Sequence, residues 1–386
     1  MKVKVKWIWL LIWGALFVSA MIMLFVNVKT GLILALIALA VLILNCLLIF
    51  IIGLNTKVKF GAAKIISMAD NAALTETDKK VIHAIESKAE KLNLPSTDGL
   101  EMEALLLEHP DPKGLVYLCH GFGDYQMVSV RLPIYQFYQQ GYSIFVSYSR
   151  GFGAHNGCWT GMGVLERDDH IQWLKYLKNR FPDLDFFLYG VSMGAASVMN
   201  LSDLDDPQIK GIIEDCGYVD LYDQMDHCLK HVLQIPEWPA LPAADFFCKR
   251  ICRYSLKDLN VRHKLANTRY PILAFHGRED DFVPFYNLDR VIAAGKENVV
   301  DAHFIEGAAH LQSFQVNPEF YWNTVSKFLA RCQNEPQTTA PQTGQNQSGP
   351  LSSDSSSTDN TADSKTEEQS SRKGNQASGL SQKVSF

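Results

Sequence analysis

The pentapeptide Gly190-Val191-Ser192-Met193-Gly194 is the first place in this 386-residue chain where residue types and spacing imply chemistry. A serine hydroxyl is a weak nucleophile until a base takes its proton and the backbone holds it exposed. Glycines on either side let a strand turn abruptly into a helix around the serine, and the new helix aims its first amides at developing negative charge. An apolar run precedes the motif and Ala195-Ala196-Ser197 follows it, so the strand–turn–helix setting is met. That setting weighs against the bland alternative, a glycine-flanked turn without chemistry.

Acyl transfer at Ser192 requires three further parts. Two amide donors must hold the oxyanion. Met193, next to the serine, supplies one, and Phe122 in His120-Gly121-Phe122-Gly123, after the strand-like run ending at Cys119, supplies the other. His120 is expected to organise that loop by hydrogen bonding. An acid must orient the base, and Glu279-Asp280-Asp281 follows a late strand-like run in the order serine, acid, histidine. Periodicity does not choose between Asp280 and Asp281, and Asp215 at the end of an earlier strand is a third candidate. The base is expected at His310, in a small-residue loop past the last strand; His303 lies inside that strand. This chemistry needs no metal or organic cofactor.

The elements that must position these residues form an alternation. Leu115–Cys119, Ser143–Ser147, Phe186–Val191, 209–214, 272–275 and 302–305 read as strands, and 163–180 as an amphipathic helix. Such alternation predicts an α/β fold with a mostly parallel sheet covered on both faces. A segment around 103–108 is expected as an antiparallel edge. The stretch 218–262, with Pro236, Trp238, Pro239, Pro242, Phe246 and Phe247, breaks the rhythm and reads as a helical cap inserted over a site.

Composition divides the chain into an anchor at 1–59, a globular part at 60–333 and a polar tail at 334–386 expected to be disordered. Two apolar runs, 7–26 and 32–54, are each long enough to cross a bilayer and predict a transmembrane helical hairpin. Lys2, Lys4 and Lys6 precede the first, Lys57, Lys59 and Lys64 follow the second, and Lys29 alone lies between. The hairpin therefore places both ends, and the globular part, on the cytoplasmic side of a multi-pass cell-membrane protein. Eight cysteines without a paired framework suit that reducing side, and the Cys248/Cys252 spacing lacks the second ligand pair of a zinc site. A net charge of −5 without long basic runs in the globular part argues against nucleic acid as partner.

With these motifs placed, the chain resembles the α/β-hydrolase superfamily, and within it the esterase and serine-aminopeptidase-like branch found as bacterial membrane-associated hydrolases. The resemblance rests on His120–Gly123, Ser149-Arg150-Gly151-Phe152-Gly153, Gly190–Gly194, Glu214-Asp215-Cys216-Gly217-Tyr218, the 276–284 segment and Gly307-Ala308-Ala309-His310. It covers about residues 98–332. The family's loop acid takes the fifth position of H-G-x-x-D-x-x-V-P, which implies Asp280. Ser149 departs from the aspartate that many relatives carry there. The resemblance implies an ester, lipid or peptide substrate cleaved through an acyl-enzyme. A serine aminopeptidase or amidase is the alternative within enzymes, and Asp223, Asp226 or Glu237 in the cap could then hold a free amino terminus. A non-catalytic membrane scaffold with this fold is the alternative of another class; the oligomeric state is not readable.

Overall fold

Strands buried on both faces need near-continuous apolar side chains, and this chain supplies them. Every residue of β3 (Leu115–Cys119), β4 (Ser143–Ser147) and β5 (Phe186–Val191) is buried. In the computed structural model, which describes residues 14–15, 17–19, 21–23, 25–58, 87–124, 127–153 and 157–334, these strands form the middle of an eight-stranded sheet. Adding β1 (Glu90–Pro95), β2 (Glu101–Leu107), β6 (Ile209–Asp215), β7 (Ile272–Gly277) and β8 (Val299–Ile305), the order is β1-β2-β4-β3-β5-β6-β7-β8. Strands β3 to β8 pair in parallel, whereas β1 pairs with β2, and β2 with β4, antiparallel.

Alternate side chains feed two cores. Leu115 and Tyr117 join Phe186 and Leu188 on one face, while Val116 and Leu118 join Phe187 and Tyr189 on the other. The first face is covered by helix α3 (Glu166–Arg180), defined after α1 (Val28–Leu54) and α2 (Val128–Gln139), and the second by α2 and the last long helix, Pro318–Asn334. Between β6 and β7 the chain leaves the sheet as the expected cap. It runs through α5 (Leu221–His227), a π-helical turn Cys228–Val232, α6 (Glu237–Phe247) and a second π-helical turn Cys248–Cys252. Helix α4 (Met193–Met199) starts directly from β5.

Helix α1 is 27 residues long, about 40 Å at 1.5 Å per residue, and apolar enough to cross a membrane. Asn27 starts it, its side chain accepting from the amides of Lys29 and Thr30 at 3.1 and 3.3 Å. The expected second span lies within this helix. The expected first span, 7–26, falls partly outside the described residues; those described between Gly14 and Val26 are helical. The tail from residue 335 onward, and residues 59–86, also lie outside them.

The far end of α1 is built into the sheet domain. Phe50 and Leu54 are buried, and the Phe50 ring stacks on Trp159 at 5.1 Å and meets Phe247 of α6 at 5.8 Å. Asn55 forms an antiparallel bridge with Trp159, and the Thr56 hydroxyl donates to the Gly151 carbonyl at 2.6 Å. Gly151, at φ +84°, is where a side chain would collide with Thr56, so this glycine of the 149–153 motif admits the chain leaving the helix.

Candidate active site

Ser192 sits between β5 and α4 with φ 54° and ψ −118°, a conformation that costs a non-glycine residue about 1–3 kcal/mol. The neighbouring glycines make it feasible. A Cβ on Gly190 would run into the Gly194 backbone, and one on Gly194 into the Cys119 and His120 carbonyls. Ser192 is anchored by its amide, which donates to the Asp215 carbonyl at 2.9 Å.

The side chains expected to act together converge at the carboxyl ends of the strands, where open α/β sheets place their ligands. His310, in the loop after β8, has Nε2 3.0 Å from Ser192 Oγ. Its Nδ1 lies 2.7 Å from Asp280 Oδ2. With Nδ1 donating to the carboxylate, Nε2 is left to accept the serine proton. Asp280 accepts at Oδ1 from the amides of Phe282 and Val283, at 3.0 and 2.8 Å. Burial alone would raise its pKa; the nearby His310 and His276 rings outweigh that and hold the carboxyl well below the usual carboxylate range. Asp281 instead is exposed, lines the cavity described below, and uses its carbonyl to accept from His227 Nε2 at 2.8 Å. Asp215 accepts from Ser313 and Tyr321 hydroxyls at 2.6 and 3.0 Å and ties the last helices to the sheet. His303 lies in β8, stacked on Phe275.

The loop expected to give the second oxyanion donor passes beside the serine: a Cβ on Gly121 would lie 3.6 Å from Ser192 Cβ. Met193 is the first residue of α4, where an amide has no intrahelical partner. Phe122 and Met193 both line the cavity at Ser192. His120 accepts from the Ser149 amide at Nε2 (3.0 Å) and its Nδ1 donates to the Gly121 carbonyl (2.8 Å), joining the loops after β3 and β4. Arg150, paired with Asp98 and Asp169 at 2.6 and 2.7 Å, fixes the second of these loops.

Three contributors were not identified from sequence. Asp124 accepts from the Val128 and Ser129 amides and from the Ser129 hydroxyl, which in turn accepts from Gly121 N–H at 3.1 Å and so braces the oxyanion loop. An acid just ahead of a helix start was the available signal. His276 donates from Nε2 to the Val283 carbonyl at 2.9 Å and lies 3.4 Å from Asp280, steadying the acid turn. Its place in the 276–284 motif pointed to it. The third is the end of α1, which lines the cavity and carried no sequence signal separating it from lipid-facing helix.

The cavity over Ser192 has a volume of about 560 Å³. Its inner walls are Leu229, Leu241, Ala244 and Leu256 from the cap region, with Phe50 and Leu54 from α1. The cap acids expected to bind an amino terminus do not line it. Asp223 pairs with Arg290 at 3.2 Å, and Asp226 and Glu237 with Lys230 at 2.9 and 3.5 Å. A separate cleft of about 350 Å³ between α3 and residues 204–206 contains none of the site residues. Cys216, Asp280 and His310 bring donor atoms within 4.8 Å of one another, a spacing a metal could use. Both His310 nitrogens are already engaged, and burial pushes the Cys216 thiol pKa well up, so these groups fit the hydrogen-bonded serine site better. None of the eight cysteines forms a disulfide.

Residues 110–246 match the family model described as serine aminopeptidase, S33. The match takes in Phe122, Ser192 and Met193; Asp280 and His310 lie beyond it. YqkD, an uncharacterized protein of Bacillus subtilis, is 26% identical over 242 residues, 61% of this chain and 77% of its own length. WAV2 of Arabidopsis thaliana, an alpha/beta hydrolase domain-containing protein, is 24% identical over 260 residues, 63% of this chain and 79% of its own. The Pyrococcus furiosus esterase Pf2001 shares the fold with a TM-score of 0.52 at 21% identity, over 65% of this chain and 94% of that one. By sheet order and these similarities, the chain has the α/β-hydrolase fold and is similar to proteins of the esterase and serine-aminopeptidase branch.

Proposed function

We propose that this hydrolase is a membrane-anchored serine esterase with Ser192 as nucleophile, His310 as base and Asp280 as the acid orienting it. One observation carries the reading: Ser192 Oγ, the His310 ring and the Asp280 carboxylate are joined by contacts of 3.0 and 2.7 Å, and Ser192 lines a mostly apolar cavity. In the reaction, Ser192 Oγ bonds to the acyl carbon as its proton passes to His310 Nε2. The Phe122 and Met193 amides receive the oxyanion. The carbon–oxygen bond to the leaving group then breaks, and His310 returns the proton to the departing alkoxide. Water attacks the acyl-enzyme by the same route, releasing the acid and restoring Ser192.

The domain reading accompanying this proposal is an anchor at 1–59, a hydrolase with its cap at 60–333 and a tail from 334, placed at the cell membrane with the hydrolase in the cytoplasm. The substrate is a small ester or lipid. A second reading, an aminopeptidase, draws on Asp281, an exposed carboxylate lining the cavity that could hold an ammonium group.

A fluorophosphonate probe on the full chain in detergent tests the proposal. Wild type is expected to label and Ser192→Ala to lose labelling; undiminished labelling of the variant removes the assignment. An unreactive wild type would instead favour a scaffold. On the labelled enzyme, p-nitrophenyl esters are expected to turn over faster than aminoacyl-nitroanilides, and the opposite order favours the aminopeptidase.

A further inference from the structure

A helix that is apolar all round for most of its length belongs in a membrane rather than on a protein surface. Helix α1 fits this, with Leu32, Leu36, Leu39 and Leu44 all more than half exposed. Its last turns then leave that environment and line the cavity over Ser192. Ile49, Phe50, Ile52, Gly53 and Leu54 are all part of the wall. Opposite them stand Val232 and Leu233, 36% and 41% exposed, at the end of the first π-helical turn of the cap. The buried lining of the cavity includes Ser192, and its exposed lining comprises Gly53, Val232 and Leu233 together with the polar His231, Gln234 and Asp281; Gly53 places part of that exposed lining where the apolar helix enters the domain.

We propose, building on the reading of Ser192 as nucleophile, that this gap between α1 and the cap is an acyl port. A long-chain acyl ester slides from the bilayer along the last turns of α1 with its chain in the gap, and its carbonyl reaches Ser192. The anchor helix is thus a wall of the substrate site, and Ile49, Ile52 and Gly53 select for chain length. Gly53 is the informative position. It has no atom within 4 Å of where a Cβ would stand and no positive φ, so a side chain there projects into open space. That space is the port.

The test measures kcat/KM for p-nitrophenyl laurate and p-nitrophenyl butyrate on the full chain reconstituted in lipid nanodiscs. Wild type should prefer laurate, since each buried methylene contributes about fourfold. Gly53→Phe, which narrows the port, should lower the laurate-to-butyrate ratio at least tenfold, the effect of excluding about two methylenes. Ile52→Trp is a second narrowing variant and should act in the same direction. Leu44→Phe, which adds an aromatic ring on the lipid-exposed stretch, should keep the wild-type ratio. Fluorophosphonate labelling of each variant confirms an assembled site. A ratio within about threefold of wild type in a labelled Gly53→Phe and Ile52→Trp, or an equal fall in Leu44→Phe, overturns the port. Loss of the nucleophile assignment would show separately, as a Ser192→Ala protein that still labels.

Discussion

A carboxyl buried without a full set of donors titrates late, and Glu214, at the site's edge on β6, is in that position. Its Oε2 accepts from the Gly217 amide at 3.1 Å, while Oε1 is buried without a hydrogen-bond partner. Burial pushes its pKa up to about 7, against the pull of the nearby His276. A carboxyl raised in the native state binds a proton that the unfolded chain has already lost. Its stabilising effect is therefore complete below pH about 4.5 and gone once the pH passes about 7. The difference corresponds to about 3 kcal/mol. Asp215 and Glu166, raised by burial to about 6 and about 7, act in the same direction. Asp280, held low, contributes with opposite sign, and its share is lost only in strong acid, below the usual carboxylate range. Buried His170 and His120, held low by burial, act with the opposite sign over this range, so the reading is the difference between proteins: relative to wild type, the denaturant midpoint of Glu214→Gln should rise between pH about 4.5 and about 7 by about Glu214's own share. An unchanged slope in the variant would show that Glu214 does not titrate there. Residue types alone left the acid of the site between Asp280 and Asp281. The resemblance of the 276–284 segment implied Asp280, and the turn gives the physical reason: it sends Asp280 inward to His310 and leaves Asp281 exposed, held by His276 and the 282–283 amides.

At the scale of elements, legibility followed burial. Strands β3, β4 and β5 could be read at their observed bounds because both faces are covered and, apart from the serines at the two ends of β4, no position is polar or charged. Strand β1 was missed because it is an edge: Glu90 and Lys91 are exposed, and its pairing with β2 is made by backbone groups that any sequence offers. Helix α1 was legible as an apolar helix, but not as part of the domain, since Phe50 buried against protein and Leu48 exposed look alike in a hydropathy pattern. The difference is energetic. Phe50 is 1% exposed and packed between Trp159 and Phe247. Truncating a buried phenylalanine costs about 3–5 kcal/mol. Phe50→Ala should lower stability in detergent by that order, whereas Leu48→Ala, on the exposed side, should change it by less than about 0.5 kcal/mol. Equal effects in chemical denaturation would mean that the end of α1 does not share the hydrolase core.

For the whole molecule, the proposed membrane anchor raises the question of which side of the bilayer would carry the hydrolase. Helix α1 is followed by Asn55, Thr56 and Lys57, with the first two tied into the domain, so a bilayer around the helix would have the domain against the face from which the helix emerges. Helix α6, which packs on α1, exposes Trp238 and Phe246, with Lys249 and Arg250 close behind. Apolar rings next to cations suit the boundary between acyl chains and headgroups, and a cytoplasmic leaflet rich in anionic lipid would draw those cations. The lysines outside the two apolar runs outnumber the single Lys29 between them, which favours the cytoplasm for both ends. A fluorescent-protein fusion after Phe386 should therefore be bright in a bacterial host, and the matching alkaline phosphatase fusion inactive, because the first matures in the cytoplasm and the second needs disulfides formed outside it. An active phosphatase with a dark fluorescent fusion would invert the topology, moving the hydrolase outside while leaving the geometry of Ser192, His310 and Asp280, and the port beside α1, untouched.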